Sequence, residues 1–171
     1  MSIIVRTAQP AEYDAAGHLV AEAFITDGHT ERDGDYAKLL RDPRDRAEKA
    51  ELMVAVDEEN GAVLGSVTFA PPGSPYADLA HGREGEFRML AVSPEPTARG
   101  RGIGELMVHA VIARARELEL PRIVMSSQRQ MTYAHRIYER LGFVRTPDRD
   151  WSPVPGVHLF TYALELDGSP A

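Results

Sequence analysis

The sequence contains no cysteine and no long apolar run. The lack of cysteine excludes disulfide bonds, thiolate metal ligands and a cysteine nucleophile. No stretch approaches the ~20 apolar residues of a membrane span, and the first residues lack the apolar core of a signal peptide. The six histidines show no metal-ligand spacing. We therefore expect a cytoplasmic protein with no membrane partner and no metal.

Acidic residues outnumber basic residues. The chain has 19 Lys and Arg against 26 Asp and Glu, a formal net charge of −7, and a pI near 5.4. This balance argues against nucleic acid as a partner, and an anionic ligand would need a local basic pocket. Only Lys38 and Lys49 are lysine, a bias typical of a GC-rich bacterial genome.

Hydrophobic periodicity and turn residues predict an alternation of strands and helices. The predicted elements are a strand at 3–5, a helix at 10–24, a charged loop with a short exposed helix at 26–50, a hairpin around Asn60 and Gly61, a loop at 71–85, a strand at 86–92, a helix at 103–120, a strand at 122–127, a helix at 132–141 and a last strand at 157–166. This order indicates an α/β sandwich in which helices cover a central sheet, and we expect residues 1–171 to form one domain.

The most informative segment runs from Glu86 to Leu118, where a strand leads through three alternate glycines into a long helix. Glycines let backbone N–H groups approach a ligand closely, and the first turn of a helix attracts a diphosphate. Arg99 and Arg101 add local positive charge. The same pattern also suits a tight, well-packed turn that binds nothing, so the glycines alone leave both interpretations open.

Two motifs in this region resemble those of the GNAT acetyltransferases. The first is Gln/Arg-x-x-Gly-x-Gly/Ala, met by Arg99, Gly102 and Gly104. The second is a helix ending Tyr-x-x-x-Gly-Phe, met by Tyr138, Gly142 and Phe143. The resemblance implies an α/β (α+β) fold with a mixed, mostly antiparallel sheet of about six to seven strands. It also implies about four flanking helices and a sheet splayed at the strand that binds the cofactor.

The resemblance further implies acetyl-CoA as cosubstrate and an amine as acceptor. The cofactor-binding positions that it implies are Leu90, Ala91, Val92, Arg99, Gly100, Arg101, Gly102, Ile103, Gly104 and Tyr138. Two features depart from the family pattern. The connection between Val92 and Arg99 is about two residues longer than usual, and Met131 replaces a frequent Asn.

Two residues are predicted to be catalytic. In the family, a tyrosine at the place of Tyr138 protonates the coenzyme A sulfur, and a glutamate at the place of Glu86 draws the proton from the amine. The alternatives are a core aromatic for Tyr138 and a solvated strand residue for Glu86. His135 is expected on the helix surface. Direct attack in a ternary complex is favoured, because no cysteine is present to carry an acyl group.

The sequence therefore predicts an N-acetyltransferase acting on a small-molecule or peptide amine. A non-catalytic acyl-CoA sensor or scaffold of the same fold is the alternative, and a structural domain without a ligand is the third interpretation. The acceptor pocket is expected in 24–50, 71–85 and 145–157. A homodimer paired through the last strand is compatible with its apolar sequence, as is a monomer in which that strand is buried.

Overall fold

The computed structural model describes residues 2–166, which form a seven-stranded sheet and five α-helices. The strands are β1 (Ile3–Thr7), β2 (Glu51–Asp57), β3 (Val63–Ala70), β4 (Glu84–Val92), β5 (Arg122–Gln128), β6 (Val144–Arg145) and β7 (Leu159–Glu165). The helices are α1 (Tyr13–Thr26), α2 (Asp35–Arg41), α3 (Arg44–Lys49), α4 (Ile103–Glu117) and α5 (Thr132–Arg140). Single 3₁₀ turns occur at Pro10–Glu12 and Pro147–Arg149.

The strands lie in the order β1-β2-β3-β4-β5-β7-β6. Five of the neighbouring pairs are antiparallel, and β4 with β5 is the parallel pair. The predicted mixed, mostly antiparallel sheet is thereby confirmed. The connection from β4 to β5 contains α4, as a parallel pair requires.

Apolar residues cover both faces of the sheet. One cluster lies between the sheet and α4, and it includes Phe69, Phe87 and Met107. Smaller clusters on the opposite face join the sheet to α1 and α2. Gly65 of β3 makes close packing of α4 possible, because a Cβ at this position would lie 2.8 Å from Cε of Met107 and 3.1 Å from Cγ2 of Ile103. The start of α4 therefore rests almost directly on the backbone of β3.

The charged segment between α1 and β2 is more ordered than predicted. It forms two helices, α2 and α3. The second is partly buried, because its Arg46 is only 1% exposed. The Arg46 guanidinium donates to the carbonyl oxygens of Leu39 (3.0 Å) and Leu40 (2.8 Å). These carbonyls lie in the last turn of α2, where a cation is favoured. A buried arginine thus joins the two helices.

The last strand is interior rather than at an edge. β7 pairs with β5 along its whole length, and Tyr162 and Ala163 pair with β6 on the other side. β6 was not predicted, since two residues carry no periodic signal. Within residues 2–166, no helix is both long and apolar enough to cross a membrane.

Candidate active site

The parallel strands β4 and β5 form a fork. They pair only from Glu84 opposite Arg122 to Glu86 opposite Val124. Beyond this point β4 continues to Val92 while β5 pairs with β7 alone. The gap therefore opens toward the carboxyl ends of both strands, and the predicted splay is confirmed.

A cavity of about 270 Å³ occupies the open end of the fork. Its wall is built from the end of α1, the end of β4, the turn before α4, and α5. The lining residues are Ala23, Phe24, Asp27, His29, Leu90, Ala91, Val92, Ala98, Arg99, Gly100, Arg101, Gly102, Ile103, Gly104, Glu105, Met131, Tyr133, Ala134, Ile137 and Arg140. Every predicted cofactor-binding residue except Tyr138 lines this one cavity.

The glycine turn presents its backbone to the cavity. Gly100 and Gly102 have left-handed backbones, with φ of +76° and +73°, and a Cβ at either position would meet no atom within 4 Å. The first helical hydrogen bond of α4 runs from the N–H of Leu106 to the carbonyl of Gly102. The N–H groups of the first turn before it have no partner within the helix, and the helix dipole makes this end positive. The turn is therefore suited to an anionic group.

The two arginines of the turn also hold the turn in shape. Arg99 donates from Nε to the carbonyl of Ser93 (2.9 Å) and lies 3.5 Å from a carboxylate oxygen of Asp27. Arg101 donates to the carbonyl of Thr97 (2.7 Å) and lies 3.7 Å from Asp57. Part of each positive charge is thus compensated by the protein itself, and both residues line the cavity.

Tyr138 lies in an aromatic cluster and not among the residues that line the cavity. Its ring centroid is 5.9 Å from that of Phe87, 6.0 Å from that of Phe143 and 5.9 Å from that of Tyr162. Burial raises the pKa of its hydroxyl well above the usual value, and the nearby Tyr162 adds to this. Among residues 2–166, no protein group makes a hydrogen bond to that hydroxyl.

Glu86 is buried at the last rung of the fork, with 1% of its surface exposed. One carboxylate oxygen accepts backbone N–H bonds from Leu79 (2.8 Å) and Ala80 (2.9 Å). Burial raises the pKa of this carboxyl group, although both hydrogen bonds oppose the shift. The solvated alternative is therefore wrong, because the loop at 71–83 covers Glu86.

The end of α1 supplies cavity residues that the motifs did not indicate. Phe24 and His29 pack edge to face at 6.0 Å. The side chains of Gln130 and Gln128 reach the ring and the carbonyl oxygen of His29, at 3.3 Å and 3.4 Å. Burial lowers the pKa of His29 and so favours its neutral imidazole, while the charge of Asp27 opposes the shift. These contacts join the loops on the two sides of the cavity.

The prediction for His135 was wrong. The residue is 8% exposed, and its Nε2 lies 3.1 Å from both the hydroxyl oxygen of Ser127 and the carbonyl oxygen of Gln128. Its ring stacks on Phe160 at 5.8 Å. His135 therefore attaches α5 to the sheet. Within residues 2–166, no group of His, Asp and Glu side chains is arranged to hold a metal ion.

The closed end of the fork is held by ion pairs around Glu84. Its carboxylate accepts hydrogen bonds from Arg149 (2.8 and 2.9 Å) and from Arg122 (2.9 Å), which also pairs with Glu165. Burial alone would raise the pKa of Glu84, but these hydrogen bonds outweigh it and lower the pKa to about 2. The network links β4, β5, β7 and the 3₁₀ turn at Pro147–Arg149.

The fork, the glycine turn and the late tyrosine helix agree with a known family. The sequence profile described as the Acetyltransferase (GNAT) family matches residues 15–143. The chain belongs to the GNAT family. Its mixed sheet, splayed beside the cavity, is the arrangement that this membership implied.

Individual relatives share only a modest part of their sequence with this chain. Over 101 residues, covering 57% of the chain, the sequence is 36% identical to a mycothiol acetyltransferase of Cellulomonas flavigena, and the chain spans only 28% of that relative's length. Solved acetyltransferases share the fold. Salmonella typhimurium yncA, solved with its cofactor acetyl-CoA, is 20% identical, with a TM-score of 0.68 over 100% of this chain and 98% of that one. A GNAT acetyltransferase of Staphylococcus aureus Mu50 is 12% identical, with a TM-score of 0.72 over 96% and 99% of the two chains.

Proposed function

We propose that this GNAT protein transfers an acetyl group from acetyl-CoA to an amine by direct attack in a ternary complex. The observation that carries the proposal is the cavity in the fork, into which the glycine turn and the end of β4 both face. The acetyl-CoA in the yncA structure and the acetyltransferase names of the relatives support the cosubstrate and the reaction class.

The cavity has the features that acetyl-CoA requires. We assign the diphosphate to the N–H groups between Gly100 and Gly104, where three of the five residues are glycines without a Cβ. The extended pantetheine arm is assigned to Leu90, Ala91 and Val92, because β4 has left β5 at these residues. The amide groups of the arm can there form hydrogen bonds with the backbone of β4, as an added strand would.

Two side chains are assigned to proton transfer. The amine attacks the thioester carbonyl carbon, a C–N bond forms, and the C–S bond breaks. In this proposal the hydroxyl of Tyr138 gives its proton to the departing thiolate, and the carboxylate of Glu86 receives the amine's proton through water. The hydroxyl of Tyr138 supports this role as proton donor. It has no hydrogen-bond partner in the protein among residues 2–166, and a phenylalanine would suffice if the residue served only for packing.

The proposed setting is the bacterial cytoplasm, with residues 1–171 acting as one domain. A homodimer through the last strand has little support, since β7 already has partners on both sides at Tyr162 and Ala163. Light scattering of the purified protein measures the oligomeric state directly, and a mass near 18.8 kDa would identify a monomer.

A pair of measurements tests the function. Calorimetric titration with acetyl-CoA reports binding, and a thiol reagent reports coenzyme A released with a panel of amines. We expect micromolar binding and amine-dependent release. Binding without release for any amine would instead identify an acyl-CoA sensor. Absence of binding would overturn both, and would leave a structural domain.

A further inference from the structure

A bulge in β4 turns Arg88 toward the α1 side of the sheet. The register between β3 and β4 shifts between Ser66 and Thr68, and Met89 has a left-handed backbone with φ of +56°. As a result two consecutive residues face the α1 side. Met89 packs in the cluster with α1 residues, and Arg88 contacts Tyr76 of the same cluster. Glu86 lies two residues earlier on this strand.

A chain of neighbouring side chains connects Arg88 with the wall of the cavity. Phe24 lines the cavity, and its ring centroid lies 6.1 Å from that of Tyr36. Burial raises the pKa of the Tyr36 hydroxyl, and the positive charge of the nearby Arg88 opposes that shift. An aromatic ring, a hydroxyl and a guanidinium therefore follow one another away from the cavity wall.

The charge on this side of the sheet selects among amines. The Arg88 side chain is 23% exposed, so a ligand can reach it, and its Asp78 partner at 3.1 Å is the more exposed of the two. Arg46 adds a second, buried cation, held by carbonyl oxygens and, within residues 2–166, by no carboxylate within 4 Å. Asp78 and Glu86 balance these two guanidinium groups. An acceptor carboxylate that takes the place of the exposed Asp78 at Arg88 keeps this balance, whereas a polyamine or a lysine side chain adds an unmatched cation.

We propose that Arg88, together with the Tyr36 hydroxyl, binds the carboxylate of a free amino acid whose amine is then acetylated. An arginine fork and a phenol hydroxyl both donate to carboxylate oxygens. In an amino acid the carboxylate stands two bonds from the amine, so the acceptor bound at Arg88 directs its amine toward the fork. The N-terminal amine of a peptide lacks this neighbouring carboxylate. This inference rests on the proposed acetyl transfer.

The test uses acceptors that differ only in the carboxylate. The twenty amino acids and their carboxamides are compared by kcat/KM for coenzyme A release. We expect the best amino acid to exceed its amide by roughly tenfold to a hundredfold, the range of one charge-assisted hydrogen bond. Arg88→Met should remove that preference, and Arg88→Lys should keep part of it. Arg83→Gln, an exposed arginine just before β4, is the matched control and should change nothing.

A second variant separates recognition from loop support. Arg88 also holds the loop at 71–83 through Asp78, so loss of the loop would lower turnover of acids and amides alike. Asp78→Asn breaks the same ion pair but keeps the guanidinium, and should preserve the preference for acids. Equal use of acid and amide by the unaltered protein would overturn the inference, as would an Arg88→Met variant that behaves like Asp78→Asn or a stronger preference for peptides. If acetyl-CoA binds and no amine is acetylated, the proposed function itself fails.

Discussion

Replacement of Gly102 by Asp and by Asn tests where the diphosphate binds. Gly102 has a φ of +73° and lines the cavity, and a Cβ there would contact no protein atom within 4 Å. Asn and Asp tolerate the left-handed backbone better than other side chains do. Both variants should therefore fold, with a loss of about 1 kcal/mol in the free energy of unfolding and a fall of about 2–4 °C in Tm.

The two variants differ by one charge and by almost nothing in shape. Two unit charges about 5 Å apart interact by about 3 kcal/mol at an effective dielectric constant of 20, and salt reduces this value. We therefore expect the Asp variant to bind acetyl-CoA roughly tenfold to a hundredfold more weakly than the Asn variant. The ratio should shrink as the salt concentration rises.

Calorimetric titration at two salt concentrations measures this ratio. Gly104→Ala is the control, because its Cβ would lie 3.8 Å from Cγ2 of Val92, an ordinary contact. Alanine also fits the family motif at this place, so Gly104→Ala should bind acetyl-CoA normally. If Asp and Asn at position 102 bind acetyl-CoA equally well, the diphosphate does not lie against this turn.

Two further changes probe the buried groups. Tyr138→Phe should leave acetyl-CoA affinity and Tm unchanged and slow turnover by roughly a hundredfold or more; undiminished coenzyme A release would exclude the hydroxyl from catalysis. Glu84→Gln should lower the free energy of unfolding at pH 7, since the fall of the Glu84 pKa from 4.5 to about 2 corresponds to about 3 kcal/mol. A depressed folded-state pKa stabilises above about pH 4.5 and loses its effect as the pH falls toward 2. Urea unfolding should therefore show the two proteins converging in acid, and a constant difference would contradict this cause.

The sequence predicted the fold closely where periodicity and turn residues were strong. The hairpin at Asn60 and Gly61, the β5 strand and the two late helices lie where alternation and helical spacing placed them. The segment at 26–50 was harder to predict, because its order depends on a tertiary contact. Arg46 is an ordinary charged residue in the sequence, and only the carbonyls at the end of α2 explain its burial.

The sequence indicated the backbone segment that forms one wall of the cavity, but only part of the side chains that line it. The glycine motif indicated one wall, since it carries a local signal. Phe24 and His29 belong to a segment named only as a broad acceptor region, and they approach the cavity through contacts far away in the sequence. Helical spacing on α5 could have indicated Tyr133, Ile137 and Arg140, which lie on one side of that helix. The burial of Glu86 depends on a loop that has no periodic pattern.

The close packing at Gly65 has a consequence for the connection at 93–98. Because the first residue of α4 rests on β3, the sheet fixes the position of the helix N-terminus. That connection is about two residues longer than is usual in the family. The extra residues can bulge outward without displacing the backbone amides that follow them. An insertion there should be tolerated only if it keeps the carbonyls of Ser93 and Thr97 in place for Arg99 and Arg101. A methyl group added at Gly65 would press on Met107 and Ile103, and so on the first turns of the helix.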